Sequence, residues 1–313
     1  MPCRLTTGLL LLALLCGCAS TPQSTALLQA HPPAFDIPFR IADLPFFPQD
    51  RYQCGPAALA TVLSHSGLAV TPAQLVPLVY VPERQGSFQV EVVAAARSFG
   101  RLAFTLPPSL DDLLAEVQAG HPVVVLQNLA LAWYPRWHFA VVKGYDPQSQ
   151  RLLLNSGDIE DYAVALRTFE RTWARAGHWA LAVLVPGTVP LAAQALSYFG
   201  AAFALEESGQ QDAALAAYAG GLQRWPQERS LLMAQGNLHY ARGLGGLALA
   251  DFSAVVQHHP DFAPAHNNLA QMYHERGEPE AALRHAQRAV ALGGEFAEIY
   301  RATLQMIEAV QLR

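Results

Sequence analysis

Apolar and polar positions change their rhythm three times along this 313-residue chain. The opening stretch, MPCRLTTGLLLLALLCGCAS, sets one Arg before a short unbroken apolar run that ends in small residues. That run is too short for a permanent membrane-spanning helix and fits the h-region of a secretory signal over residues 1–17. From Ala19 to about Arg40 the apolar positions scatter among Pro, Ser, Thr and Gln, so residues 18–41 read as a tether. A mixed pattern follows over 42–188. After Cys54 the stretch GPAALATVL predicts an apolar helix with Pro56 near its first turn and a stop at Gly67. Thr71-Pro72 opens a short helix, and Ser87 opens another that ends at Gly100. Ser109-x-x-Asp112 is a capping-box-like start, Gly120 closes that helix, and VVVL is the strand behind it. Asp111 and Asp112 are then first-turn helix charges rather than an acid/base dyad. WHFAVVKGY and RLLLNS read as strands joined by the turn DPQSQ, and WALAVLV as a last strand ending at Pro186. Helices first and a sheet afterwards predict an α+β domain rather than a doubly wound parallel sheet.

The last third, 192–313, repeats itself. Gly209, Gly243 and Gly277 are 34 residues apart, as are Ala214, Ala248 and Ala282. Pro226 and Pro260 keep that spacing and Gly294 continues it; Tyr218, Phe252 and Ala286 form a fourth column. Small residues where helices cross, with Pro or Gly between units, resemble tetratricopeptide repeats, about three of them. That number is the minimum at which a stacked all-α solenoid buries its own faces.

Composition narrows the function. Only 14% of residues are charged and the net charge is −5, so no basic surface for a nucleic acid is expected. Lys143 is the single lysine and no GxxxxGK occurs, which argues against a nucleotide-driven machine. Leu15-Cys16-Gly17-Cys18 looks like a bacterial lipobox. By that resemblance cleavage precedes Cys18, which becomes lipidated and anchors the chain to a membrane. Ala19 in the next position implies, by likeness to Gram-negative lipoproteins, an outer-membrane protein facing the periplasm. Of the four cysteines, processing removes Cys3 and Cys16 and occupies Cys18. Cys54 is left unpaired in an oxidising compartment, where a structural thiol normally has a partner.

Cys54 stands just ahead of a helix, where free backbone N–H groups and the positive dipole end are expected to lower its pKa and favour the thiolate. A nucleophilic thiol needs an imidazole to move its proton. Of the eleven histidines, His138 is the one that opens an apolar strand after an aromatic loop, AWYPRW; His31, His65, His121 and His178 have structural explanations, as do those in the repeats. Trp133, Tyr134 and Trp137 either line a cleft or pack in the core. A third group should orient the imidazole. A turn centred on Asp146-Pro147 puts Asn155 opposite His138; moved toward Gln148, it puts Asp158 there. Asn155 is the first choice, Asp158 the second and Ser156 the third. Gln49, in the loop feeding the same helix, is placed to share an oxyanion with the Cys54 N–H, while Gln53 points elsewhere. No metal or cofactor is required.

QDRYQCGPAAL, HFAVVKGYD and LLLNSGD together resemble the double-glycine leader peptidases of bacteriocin export systems, a papain-like cysteine peptidase family, over about 42–185. The resemblance implies a papain-like α+β domain with Cys54 as nucleophile, His138 as base and Gln49 as oxyanion donor. Family members often place that Gln six residues before the Cys, against five here, and commonly take the third residue from an Asp-Pro pair, where this chain has Asn-Ser-Gly. The exporters also carry transmembrane and ATPase domains that this sequence lacks, so the cleavage chemistry is implied but not leader processing. The expected function is a membrane-anchored cysteine peptidase acting on a peptide or protein, with repeats that recruit a protein partner or substrate. The alternatives are an inactive peptidase-like scaffold and a cell-wall peptide amidase or transpeptidase.

Overall fold

The computed structural model describes residues 20–49 and 53–311. The signal segment 1–17 and the anchor residue Cys18 lie outside the described residues. The chain divides into two compact units, residues 1–95 with 105–183, and residues 96–104 with 184–313.

The stretch read as a tether is folded from Pro22. Helix α1 (Pro22–Ala30) begins on a proline and buries Leu27. Its first amides find a partner far along the chain: Gln23 N–H and Ser24 N–H donate to the two oxygens of Glu170, at 3.0 and 2.7 Å. Those amides have no acceptor inside the helix, and a carboxylate meets both their hydrogen-bond need and the dipole. Strand β1 (Phe39–Arg40) follows. A polar composition signals a lack of periodicity, not a lack of partners, which is why this segment read as linker.

Helix α2 (Cys54–His65) is buried on every side from Gly55 to Leu63, as a helix without a polar face must be. Gly55 is required by packing. A Cβ there would stand 2.3 Å from Ser87 Oγ. Helix α3 (Pro72–Val79) opens with the Thr71–Gln74 capping pair. Helix α4 (Gln89–Ser98) starts two residues after Ser87. Strand β2 (Leu102–Thr105) precedes α5 (Leu110–Gln118), whose Ser109 cap accepts the Asp112 N–H at 3.2 Å, with Asp111 and Asp112 in its first turn.

The sheet is completed by β3 (Val123–Asn128), β4 (Trp137–Asp146), β5 (Arg151–Ser156), β6 (Ile159–Ala165) and β7 (Ala180–Leu184), with α6 (Leu166–Ala174) between β6 and β7. Its order is β2-β7-β3-β4-β5-β6, and β1 pairs with the far end of β4. The pairings from β3 through β6 and that of β3 with β7 are antiparallel, which agrees with the expected α+β class. β2 and β6 are short and weakly patterned; α6 was not foreseen although Leu166, Phe169 and Trp173 recur at helical spacing among polar residues.

The second unit holds three helix pairs and a closing helix: α7 (Ala195–Glu207) with α8 (Gln211–Arg224), α9 (Arg229–Ala241) with α10 (Gly245–His258), α11 (Ala263–Glu275) with α12 (Pro279–Leu292), and α13 (Ala297–Gln311). The 34-residue columns have a physical cause. Gly209, Gly243 and Gly277 each end the first helix of a pair at φ between +71° and +79°, where a side chain is strained. Ala214, Ala248 and Ala282 are fully buried, small enough to let helices meet.

Candidate functional site

The site is assembled at one end of β4. Burial of α2 along its whole length fixes where its first residue lies, and Cys54 there is half-buried and unpaired. Backbone N–H groups of Phe139, Gly55 and Cys54 itself face the sulfur. The thiol therefore meets the sheet at the peptide that links His138 to Phe139.

Burial pushes the Cys54 thiol above its ordinary pKa, and the three backbone donors offset only part of this. The sequence reading expected the reverse. Helix-start amides do act in the predicted direction, but removing the sulfur from water outweighs them. His138 is displaced the other way for the same cause: burial lowers its pKa to about 4. At neutral pH the resting site therefore holds a neutral thiol and a neutral imidazole.

His138 Nε2 lies 2.8 Å from Ser156 Oγ. With that nitrogen occupied, Nδ1 is the one left for proton exchange, in the tautomer where Nε2–H donates to the hydroxyl. Asn155 does not stand opposite His138. The β4–β5 hairpin is centred beyond Asp146-Pro147, since Asp146 pairs with Arg151, and a bulge between Val142 and Gly144 brings Asn155 opposite Val141. Continued to the strand end, this register points His138 toward position 158, but β5 stops at Ser156 and Asp158 is exposed in the turn to β6. The hairpin centre, more than the one-residue bulge, takes Asn155 away from His138, and the hydroxyl that reaches the ring is that of Ser156.

Asn155 has a different task. It is buried, lines the space beside Cys54 with Gln49, Phe139 and Val141, and donates from Nδ2 to Pro45 O at 3.4 Å. Gln49 N–H donates to Gly157 O at 3.2 Å. These two bonds hold the segment carrying Gln49 against the β5–β6 turn. The space next to the sulfur is small, about 10 Å³, room for roughly one water. Asn155 Oδ1 is buried with no hydrogen-bond partner among the described residues. An open cavity of about 300 Å³ adjoins the first turn of α2, lined by Phe47, Pro48, Gln49, Gln53, Ala57 and Pro72 among others. Gln53 borders this cavity and is not among the residues that line the space at the sulfur.

The remaining histidines of this unit are used structurally: His65 Nε2 donates to Gly120 O, His121 bonds Glu116, and His178 meets Trp173 edge-on. Trp133, Tyr134 and Trp137 are 81%, 68% and 54% exposed, so they belong to neither core nor a closed cleft. Among the described residues, no group of three His, Cys, Asp or Glu is placed to hold a metal ion, and no helix is long and apolar enough to cross a membrane.

Comparison with known proteins agrees with this architecture. Residues 41–181 match the model of the Peptidase_C39 like family, which supports a cysteine peptidase at the level of the family. A solved C39-like peptidase from Bacillus anthracis is 19% identical, with 48% of this chain and 98% of that chain covered and a TM-score of 0.42. The type III secretion translocator chaperone SycD of Yersinia enterocolitica is 20% identical over 37% of this chain and 83% of its own, TM-score 0.35. YrrB, described as a TPR protein with an unusual peptide-binding site, is 22% identical over 38% of this chain and 60% of its own, TM-score 0.35. No curated protein matches the chain. The family match thus falls within the N-terminal α/β unit, and the helical region behind it keeps the 34-residue period read from the sequence.

Proposed function

We propose that this chain is a membrane-anchored cysteine peptidase whose repeats recruit a protein partner or substrate. The observation that carries the chemistry is the meeting of Cys54 with β4: the sulfur faces the N–H of Phe139, the residue that follows His138 in the strand, and the His138 ring has its Nε2 engaged by Ser156.

In this reading Cys54 gives its proton to His138 Nδ1 as the sulfur bonds to the peptide carbonyl carbon and the carbonyl electron pair moves to oxygen. The Gln49 amide and the Cys54 N–H receive that oxyanion. The imidazolium returns the proton to the nitrogen of the breaking C–N bond, and the amine leaves. Water then attacks the thioester with His138 as base, restoring the thiol. Since thiol and imidazole both rest neutral, His138 acts as a true general base and not as half of a standing ion pair. Ser156 orients the ring. Asn155 is a positioning residue for the Gln49 segment, and the 300 Å³ cavity receives a substrate side chain. Cys18 supplies a lipid anchor that holds the protein at the periplasmic face of the outer membrane.

A peptide library incubated with the protein tests this. Cys54→Ser should abolish cleavage, and His138→Ala should reduce it by about 10²–10⁴-fold. Ser156→Ala and Asn155→Ala separate the two candidate third residues. Losing the ring's partner should lower kcat roughly fivefold to tenfold and move the acid limb of the pH profile. Losing Asn155 should slow turnover without moving that limb. An acid limb that moves in Asn155→Ala alone would return the orienting role to Asn155. The confined space at the sulfur favours one rival, an inactive scaffold; no cleavage by wild type, with Cys54 unreactive to peptidyl electrophiles, would establish it.

A further inference from the structure

We infer that the loop of residues 129–137 is a membrane-docking surface that inserts its aromatic tip into the interfacial zone of a phospholipid bilayer. Leu129, Leu131, Trp133, Tyr134 and Trp137 are each more than half exposed. An apolar tip of this size presented to water calls for a partner. The loop is held in place rather than loose. Leu129 N–H donates to Arg136 O at 2.9 Å and Tyr134 N–H to Leu131 O at 3.1 Å. Asn128 Oδ1 accepts the N–H groups of Ala130 and Arg136, both at 3.0 Å. Arg175 anchors the base by donating to Asn128 O from Nε and from its terminal nitrogen. Its side chains are thus displayed on a fixed scaffold.

The chemistry of the tip selects a lipid surface. Trp and Tyr, with an apolar ring and a polar atom, prefer the headgroup level of a bilayer, and Leu adds buried area below it. Arg136 is the only charge in the loop, and no acidic residue occurs between Glu116 and Asp146, so nothing there repels anionic headgroups.

Helix α1 supplies the orientation, and here the inference rests on the proposed anchor at Cys18. Gln23 and Ser24 are fastened to Glu170, and the four residues that separate Cys18 from Pro22 reach at most about 14 Å. Glu170 lies in the middle of α6 and Arg175 caps its end, roughly 7–8 Å away along the axis, and Arg175 holds the root of the loop. A lipid anchor on so short a lead keeps this unit, and the loop it carries, close to the membrane surface. His138 directly follows Trp137, so docking would set the candidate site at the bilayer surface, favouring peptides presented there.

The test uses the full chain on vesicles of phosphatidylethanolamine and phosphatidylglycerol, plain or with brominated acyl chains. Bromination should quench tryptophan emission, and Trp133→Ala with Trp137→Ala should remove most of that quenching while the protein still floats with the vesicles. Equal emission from plain and brominated vesicles would overturn the docking and leave the anchor intact. A chain that does not float would overturn both. Neither result bears on cleavage by Cys54, which the Cys54→Ser comparison reads separately.

Discussion

At the scale of residues, one physical cause acts on the candidate nucleophile and base in opposite directions. Burial disfavours charge, so it raises the thiol of Cys54 and lowers the imidazole of His138 to about 4. The pH dependence follows with its sign. His138 must be neutral to accept a proton, so turnover should be sustained through weakly acidic pH and lost as pH falls through about 4. Iodoacetamide alkylation of resting Cys54 should rise only above the ordinary thiol range of ~8.5, with no fast phase near pH 6. A fast phase there, abolished in His138→Ala, would mean a standing thiolate–imidazolium pair instead. The residue types at the site were legible from the sequence: an unpaired cysteine before an apolar helix, and a histidine opening an apolar strand. Their protonation was not, because helix position and burial oppose each other and only the fold fixes the second. The partner of the imidazole was also hidden, since the turn DPQSQ leaves the hairpin centre open, and its place beyond Asp146-Pro147 carries Asn155 away from His138 and leaves the ring to Ser156.

At the scale of elements, most strongly patterned stretches were found, α6 excepted, and unpatterned ones missed. The apolar run after Cys54, the Ser109 cap and the β4–β5 hairpin each carry their own signal. Helix α1 does not, because its stability comes from Glu170, over a hundred residues away in sequence. Contacts of this kind leave no trace in a local window. Gly55 shows the same dependence in α2, the helix that begins at Cys54, as its missing side chain makes room for Ser87. Gly55→Ala should cost about 1–3 kcal/mol by overpacking, because Ser87 must shift or α2 must move. Urea denaturation would read the stability. Since displacement of α2 moves Cys54 off the Phe139 N–H, turnover should fall further than stability alone explains. Ser87→Gly, made together with it, should restore both; failure to restore either would show that Gly55 is needed for another reason.

At the scale of the whole molecule, the two units were legible to different degrees because they are built differently. A repeat unit states the same packing solution three times, so period and small-residue columns expose it directly. The N-terminal unit states its solution once, and its strand order depends on pairings between distant segments. The repeats also carry a titration that no column announces. His266 and His285 meet through their Nδ1 atoms at 3.0 Å, and Tyr273 stacks on His285. His266 Nε2 donates to Pro260 O, so its Nδ1 accepts and His285 Nδ1 donates. Burial, followed by His266 and Arg284, lowers the pKa of His285 to about 4, and burial chiefly lowers that of His266. The unfolded chain binds protons near 6.5, the folded one only lower, so unfolding takes up protons between these values. Stability is then full above about pH 6.5 and falls as pH descends toward 4. Calorimetry from pH 7 to pH 4.5 should show a falling Tm, and His285→Phe, which keeps a ring against Tyr273, should flatten that fall. An equally steep decline in His285→Phe would assign the acid sensitivity to His138 and the other buried groups, and leave the histidine pair a packing contact alone.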